Sequence, residues 1–61
     1  RKLTNQQHQI IDMLWQGLSI KDIAVNLSIE KSTVYWHLAI MRKNFNVHST
    51  IELLHKLNKN Y

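Results

Sequence analysis

Apolar residues recur at helical spacing in four stretches of the chain, and most of these stretches open with a residue type that caps helices. Thr4 followed by Gln7 has the form of a capping box, in which the hydroxyl takes an amide of the first turn and the glutamine reaches back. Ile10, Ile11, Leu14 and Trp15 then share one face of a first helix, until Gly17 supplies a residue suited to the left-handed conformation that ends it. This pattern places Trp15 in the core beside Ile11 and Leu14. Ser19 with Asp22 opens a short second segment, 19–26, with Ile20, Ile23, Ala24 and Leu27 facing inward and 26–28 closing it. A third segment, 31–46, carries Val34, Leu38, Met41 and Phe45 at spacings of four, three and four, a single apolar stripe. Ser49 with Glu52 starts a fourth helix, in which Ile51 and Leu54 share one face while Leu53 and Leu57 share another. A core this small cannot cover both.

The length of 61 residues limits the chain to one domain, 1–61. A domain of that size buries only about 60% of the surface its unfolded chain exposes. With 44% hydrophobic residues, no Pro, one Gly and no Cys, the composition fits an all-α, compact four-helix domain with a central helix-turn-helix, held by neither disulfides nor a Cys-based metal site. No apolar run approaches the roughly 20 residues of a membrane span, and residues 1–9 lack the apolar stretch of a signal peptide. A soluble, cytoplasmic protein with no membrane partner is expected. The chain opens at Arg1 rather than Met, as expected of a piece cut from something larger.

The net charge is +4, and three of the four acids, Asp22, Glu30 and Glu52, fall where first helical turns are expected and offset helix dipoles. Lys21, Lys31, Arg42 and Lys43, in or beside the two central segments, are therefore less neutralised than the total implies. That favours a polyanionic partner, although an ordinary solvated Lys-rich surface accounts for the charge as well. The third segment carries a sharper sign. Trp36 lies about 160–200° around the helix from Leu38 and Val34, which turns it outward with Tyr35; the competing reading is a packing residue at the stripe's edge. His37, beside Leu38, reads equally as a packing histidine or as a donor to phosphate. The four histidines, His8, His37, His48 and His55, never recur at three or four residues, so neither a metal site nor any other cofactor is expected. No carboxylate pair, nucleophile with base or glycine-rich phosphate loop indicates an enzyme.

Taken in order, Leu3-Thr4, Gly17-Leu18-Ser19, Lys21-Asp22-Ile23-Ala24, Leu27, Ile29, Thr33-Val34, His37-Leu38, Lys43, Val47 and Glu52 resemble the LuxR-type (GerE-like) helix-turn-helix domain found at the C-terminus of many bacterial transcription regulators. The resemblance covers residues 3–57. The Trp36-His37 pair is most similar to the autoinducer-binding branch of that family. The resemblance implies a C-terminal piece of a larger regulator that binds double-stranded DNA with the helix 31–46 in the major groove. Tyr35, Trp36 and Ala39 occupy the places from which the family reads bases, and Ser19, Lys21, Lys31, Ser32, Thr33, His37 and Lys43 occupy places on or near the backbone. It further implies a homodimer on DNA through the last helix, with Leu53 and Leu57 at the contact and Tyr61 extending it, and RNA polymerase as a further partner. The competing reading of Leu53 is packing against the first helix.

At several positions the chain departs from the family pattern. Tyr35 stands where Lys or another polar residue is frequent, and Ala39 stands where a polar residue is frequent, so guanine cannot be read bidentately from either. An apolar reader prefers thymine methyls, and an A·T-leaning half-site is expected. Glu30 replaces the usual Ser or Thr opening the third helix, where it either caps that helix or accepts from cytosine N4. Thr50 replaces an Arg. Two other functions fit the same residues: a sigma-factor-like promoter-binding domain sharing the first three helices, and a protein-interaction module anchored by Tyr35 and Trp36.

Overall fold

A computed structural model of the protein describes residues 3–57. Among them four helices follow in order, α1 (Asn5–Trp15), α2 (Ile20–Leu27), α3 (Lys31–Phe45) and α4 (Thr50–Leu57), and there is no strand. The expected all-α fold with a central helix-turn-helix is present as α2 and α3.

The helices start on the caps that the sequence marks. Thr4 Oγ1 accepts the Gln7 amide at 3.1 Å, and Gln7 Oε1 accepts the Thr4 amide at 3.1 Å, closing the box. Ser19 Oγ accepts the Asp22 amide at 3.1 Å. At α4, Ser49 Oγ accepts the Glu52 amide at 3.1 Å, while the Glu52 carboxylate reaches one residue beyond the cap, to the His48 amide at 2.7 Å. Glu30 differs. It holds the N-cap position of α3 without a side-chain cap bond, which removes capping from its two expected roles.

Three helix ends share one device. The residue after the helix turns left-handed at Ser28 (φ 57°) and Asn46 (φ 57°), and after one further residue at Gly17 (φ 89°). The next residue is apolar in each case and donates back five residues: Leu18 to the Met13 carbonyl, Ile29 to Ala24 and Val47 to Arg42, each at 3.0 Å. These are Schellman closures, and Leu18, Ile29 and Val47 all pack against the core. Asn46 is thus the stop of α3 rather than its last residue. Left-handed Ser and Asn carry a steric cost that Gly avoids, and short polar side chains tolerate it best.

Every helix sends residues to one core: Ile10 and Ile11 from α1, Ile23 and Ala24 from α2, Val34, Leu38 and Met41 from α3, and Leu53 from α4. Two expectations need correction. Trp15 is 46% exposed rather than core, because it lies about 90° from the centre of the α1 stripe and no further turn of helix follows to cover it. Leu53 is 0% exposed and so is unable to line a dimer contact; the face it shares with partly buried Leu57 is the one that enters the core. The outward apolar residue of α4 is Ile51, 70% exposed. Tyr61 lies outside the described residues. Two bonds tie α4 to α3: Lys56 Nζ donates to the Phe45 carbonyl at 3.1 Å, and Arg42 Nη1 donates to Thr50 Oγ1 at 3.4 Å.

Candidate nucleic-acid interface

Three residues, Ser28, Ile29 and Glu30, separate α2 from α3, the turn length of a helix-turn-helix. Ile23 and Ala24 of α2 share the core with Val34, Leu38 and Met41 of α3, so packing fixes which side of α3 points outward. On that side Ser32, Tyr35, Trp36, Ala39 and Lys43 follow at i, i+3, i+4, i+7 and i+11, all exposed. Tyr35 is 57% and Trp36 59% exposed, which rules out the packing reading of Trp36. With 15 residues α3 is about 22 Å long, and its N-terminal two-thirds carries this stripe from Ser32 to Ala39. From Ser32 to Met41 the helix holds no Lys, Arg, Asp or Glu. Of its basic residues, Lys31 opens the helix, and Arg42 and Lys43 stand in the last turn, where they also offset the negative end of the dipole.

The expected backbone group divides in two. Lys31, Ser32 and Lys43 on α3, and Ser19 and Lys21 at the start of α2, are exposed, and Thr33 is half-buried. Ser19 uses its oxygen as the cap acceptor, which leaves its O–H able to donate. His37 is different. Its Nε2 lies 2.8 Å from Gln6 Oε1 and its Nδ1 3.4 Å from Gln7 Nε2, both on α1. Gln7 Oε1 already accepts from Thr4, so the amide nitrogen of Gln7 faces the imidazole as donor. His37 Nδ1 is then the acceptor, and Nε2–H donates to Gln6. Both ring nitrogens are engaged inside the domain, so His37 belongs with packing rather than with phosphate donors. The Trp36 ring meets the His37 ring edge-on, with centroids 5.1 Å apart and planes at 66°.

Gln6 was not singled out by sequence reasoning, and buried Gln7 only as the partner of Thr4 in the capping box. A signal existed, because Gln7 sits three and four residues before Ile10 and Ile11 and seven before Leu14, a polar residue in the middle of an apolar stripe. Among the described residues no three His, Asp or Glu side chains gather as a metal-binding group, and no helix is long and apolar enough to cross a membrane.

A helix-turn-helix of this form, closed by a fourth helix, is matched over residues 1–57 by the family described as bacterial regulatory proteins, luxR family. The chain belongs to the luxR family. It is 33% identical over 55 residues to the transcriptional regulatory protein UhpA of Salmonella typhimurium and 31% identical over 55 residues to that of Escherichia coli, covering 90% of this chain and 28% of each relative. It is 36% identical over 53 residues to the uncharacterized response regulatory protein YgeK of Escherichia coli, covering 87% of this chain and 36% of that protein. The chain thus spans about a third or less of the length of these relatives. No solved structure matches it. The α2–α3 pair is accordingly the helix-turn-helix of a DNA-binding domain from a bacterial transcription regulator, and the sigma-factor alternative gives way to the luxR family.

Proposed function

We propose that this luxR-family domain acts by binding rather than by catalysis, docking α3 in the major groove of an A·T-rich half-site. The observation that carries this reading is the exposed stripe Ser32–Tyr35–Trp36–Ala39 on a helix segment without a charged side chain. Guanine is usually read by Arg or Lys reaching O6 and N7, and neither is present on that stretch. Tyr35, Trp36 and Ala39 instead offer apolar contact to thymine methyls, with the Tyr35 hydroxyl free for one polar contact. Ser19, Lys21, Lys31, Ser32, Thr33 and Lys43 flank the stripe and hold phosphates, fixing register without carrying sequence information. Chromosomal DNA as the partner puts the protein in the cytoplasm.

A homodimer on DNA through α4 is part of this proposal, and it uses the outward face that bears Ile51 in place of Leu53 and Leu57. Two-fold sites mirror two-fold proteins. The contact is weak in the absence of DNA, because one exposed aliphatic residue per subunit covers far less than the roughly 1,200 Å² of a stable interface.

Selection of duplexes from a random pool near ~0.1 M salt tests the reading. The expected winner is A·T-rich, and replacing its contacted thymines by deoxyuridine weakens binding about fourfold per lost methyl, the worth of one buried carbon. A winner with only G·C at the contacted positions, or indifference to deoxyuridine, rules out apolar readout. Affinity for the winner is expected to fall steeply with salt as phosphate contacts release counterions, and no binding to any duplex even at low salt points to the protein-interaction alternative.

A further inference from the structure

We propose that Gln6 and His37 are positioning residues for base reading: together they set the height and pitch of Trp36 over the groove from the first helix. The inference rests on the docking of α3 proposed above, and three features of the fold lead to it.

The first is that Trp36 has no cover of its own. At 59% exposure its ring is free on most of its surface, and among the described residues its one ring contact is the edge-on meeting with His37 at 5.1 Å. An indole with that much freedom occupies several rotamers, and each costs affinity when a single one must face a base. The second is that the surface Trp36 leans on does not itself move. His37 is held at both ends of its ring, by Gln6 at 2.8 Å and Gln7 at 3.4 Å. The third is that these anchors stand on a different helix, and Gln7 is committed there by its capping box with Thr4. The chain of contacts therefore runs from the N-terminus of α1, through two glutamines and one imidazole, to an aromatic side chain on the reading face of α3. A histidine that donates to phosphate needs a free N–H, and His37 has none.

Positioning differs from phosphate contact in which binding arm it affects. Loss of a phosphate contact weakens binding to every duplex alike, whereas loss of positioning removes only the part of affinity that depends on sequence. Gln6→Met keeps length and helix propensity while deleting the acceptor; His37→Phe keeps a ring beside Trp36 while deleting both bonds. Anisotropy titrations of the 61-residue chain and these variants against the selected duplex and a scrambled one, across a salt series, separate the cases. The expected result is a loss of about tenfold on the selected duplex, less than about twofold on the scrambled one, and an unchanged salt slope, with helical circular dichroism intact. Equal losses on both duplexes overturn the proposal in favour of a backbone contact, and unchanged affinities overturn it in favour of mere packing. If a variant loses its helical signal, long-range proton–nitrogen spectra of the wild-type imidazole decide instead: a proton on Nε2 supports the arrangement and a proton on Nδ1 overturns it. A wild-type domain that itself fails to discriminate the two duplexes sinks the docking reading and this one with it, an outcome distinct from normal discrimination that the variants leave untouched.

Discussion

At the scale of single residues, backbone conformation decides more here than side-chain identity does. Gly17 sits at φ 89°, and a Cβ added to it would meet nothing within 4 Å. Gly17→Ala therefore isolates the conformational cost of a left-handed L-residue, and a loss of about 1 kcal/mol is expected from urea unfolding, with the midpoint shifted and the slope unchanged. Ser28 occupies the equivalent place after α2 at φ 57°, so Ser28→Gly is expected to shift the midpoint the other way, by about 0.5 kcal/mol. The opposite signs are the test; two losses would mean that the hydroxyl of Ser28 matters more than its backbone. Gly17 was readable from the sequence as a stop because glycine is the usual left-handed residue. Ser28 was read only as part of the closing stretch 26–28, and Asn46 as the end of the third segment, since nothing in a single Ser or Asn says that it will turn left-handed. The apolar partner just after each, Ile29 and Val47, is visible only once the helix end is known.

At the scale of elements, the starts, order and type of all four helices were legible, because caps and periodic stripes are local properties. What was not legible is which of two competing faces a short helix buries. In α4 the pairs Leu53/Leu57 and Ile51/Leu54 are equally apolar in sequence, and only packing against the other helices selects Leu53 at 0% exposure over Ile51 at 70%. Trp15 failed for a related reason, since a stripe edge at a helix end has no next turn to cover it. For the candidate site the exposed stripe on α3 was readable, whereas the engagement of His37 was not, because Gln6 and Gln7 lie thirty or so positions away in the chain. The two faces of α4 give a paired prediction. Leu53→Ala removes wholly buried volume and is expected to cost about 2–5 kcal/mol, comparable with the whole stability of so small a domain, and so to abolish the helical signal at room temperature. Ile51→Glu is expected to leave that signal unchanged and to weaken binding to a two-half-site duplex severalfold more than binding to a single half-site. Equal weakening on both duplexes would remove α4 from the dimer.

At the scale of the whole molecule, the charge of +4 is arranged so that the apolar reading stretch is bracketed by Lys21 and Lys31 before it and Lys43 after it. Long-range attraction and sequence discrimination are thereby assigned to different residues, and each is open to change alone. Lys43→Gln is expected to lower affinity for selected and scrambled duplexes by the same factor and to flatten the plot of log affinity against log salt by about 0.9, one phosphate's worth. An unchanged slope would show that Lys43 stays in solvent when DNA binds. The three Schellman closures have a consequence of another kind, in time. Each of the first three helices terminates itself with its own bonds and its own apolar clasp, so the chain has little to search for beyond bringing ready segments together. It also has no proline to isomerise. Helical domains dominated by such local contacts fold in microseconds to milliseconds. A domain with so thin a core thus keeps its reading face less by seldom opening than by closing again quickly.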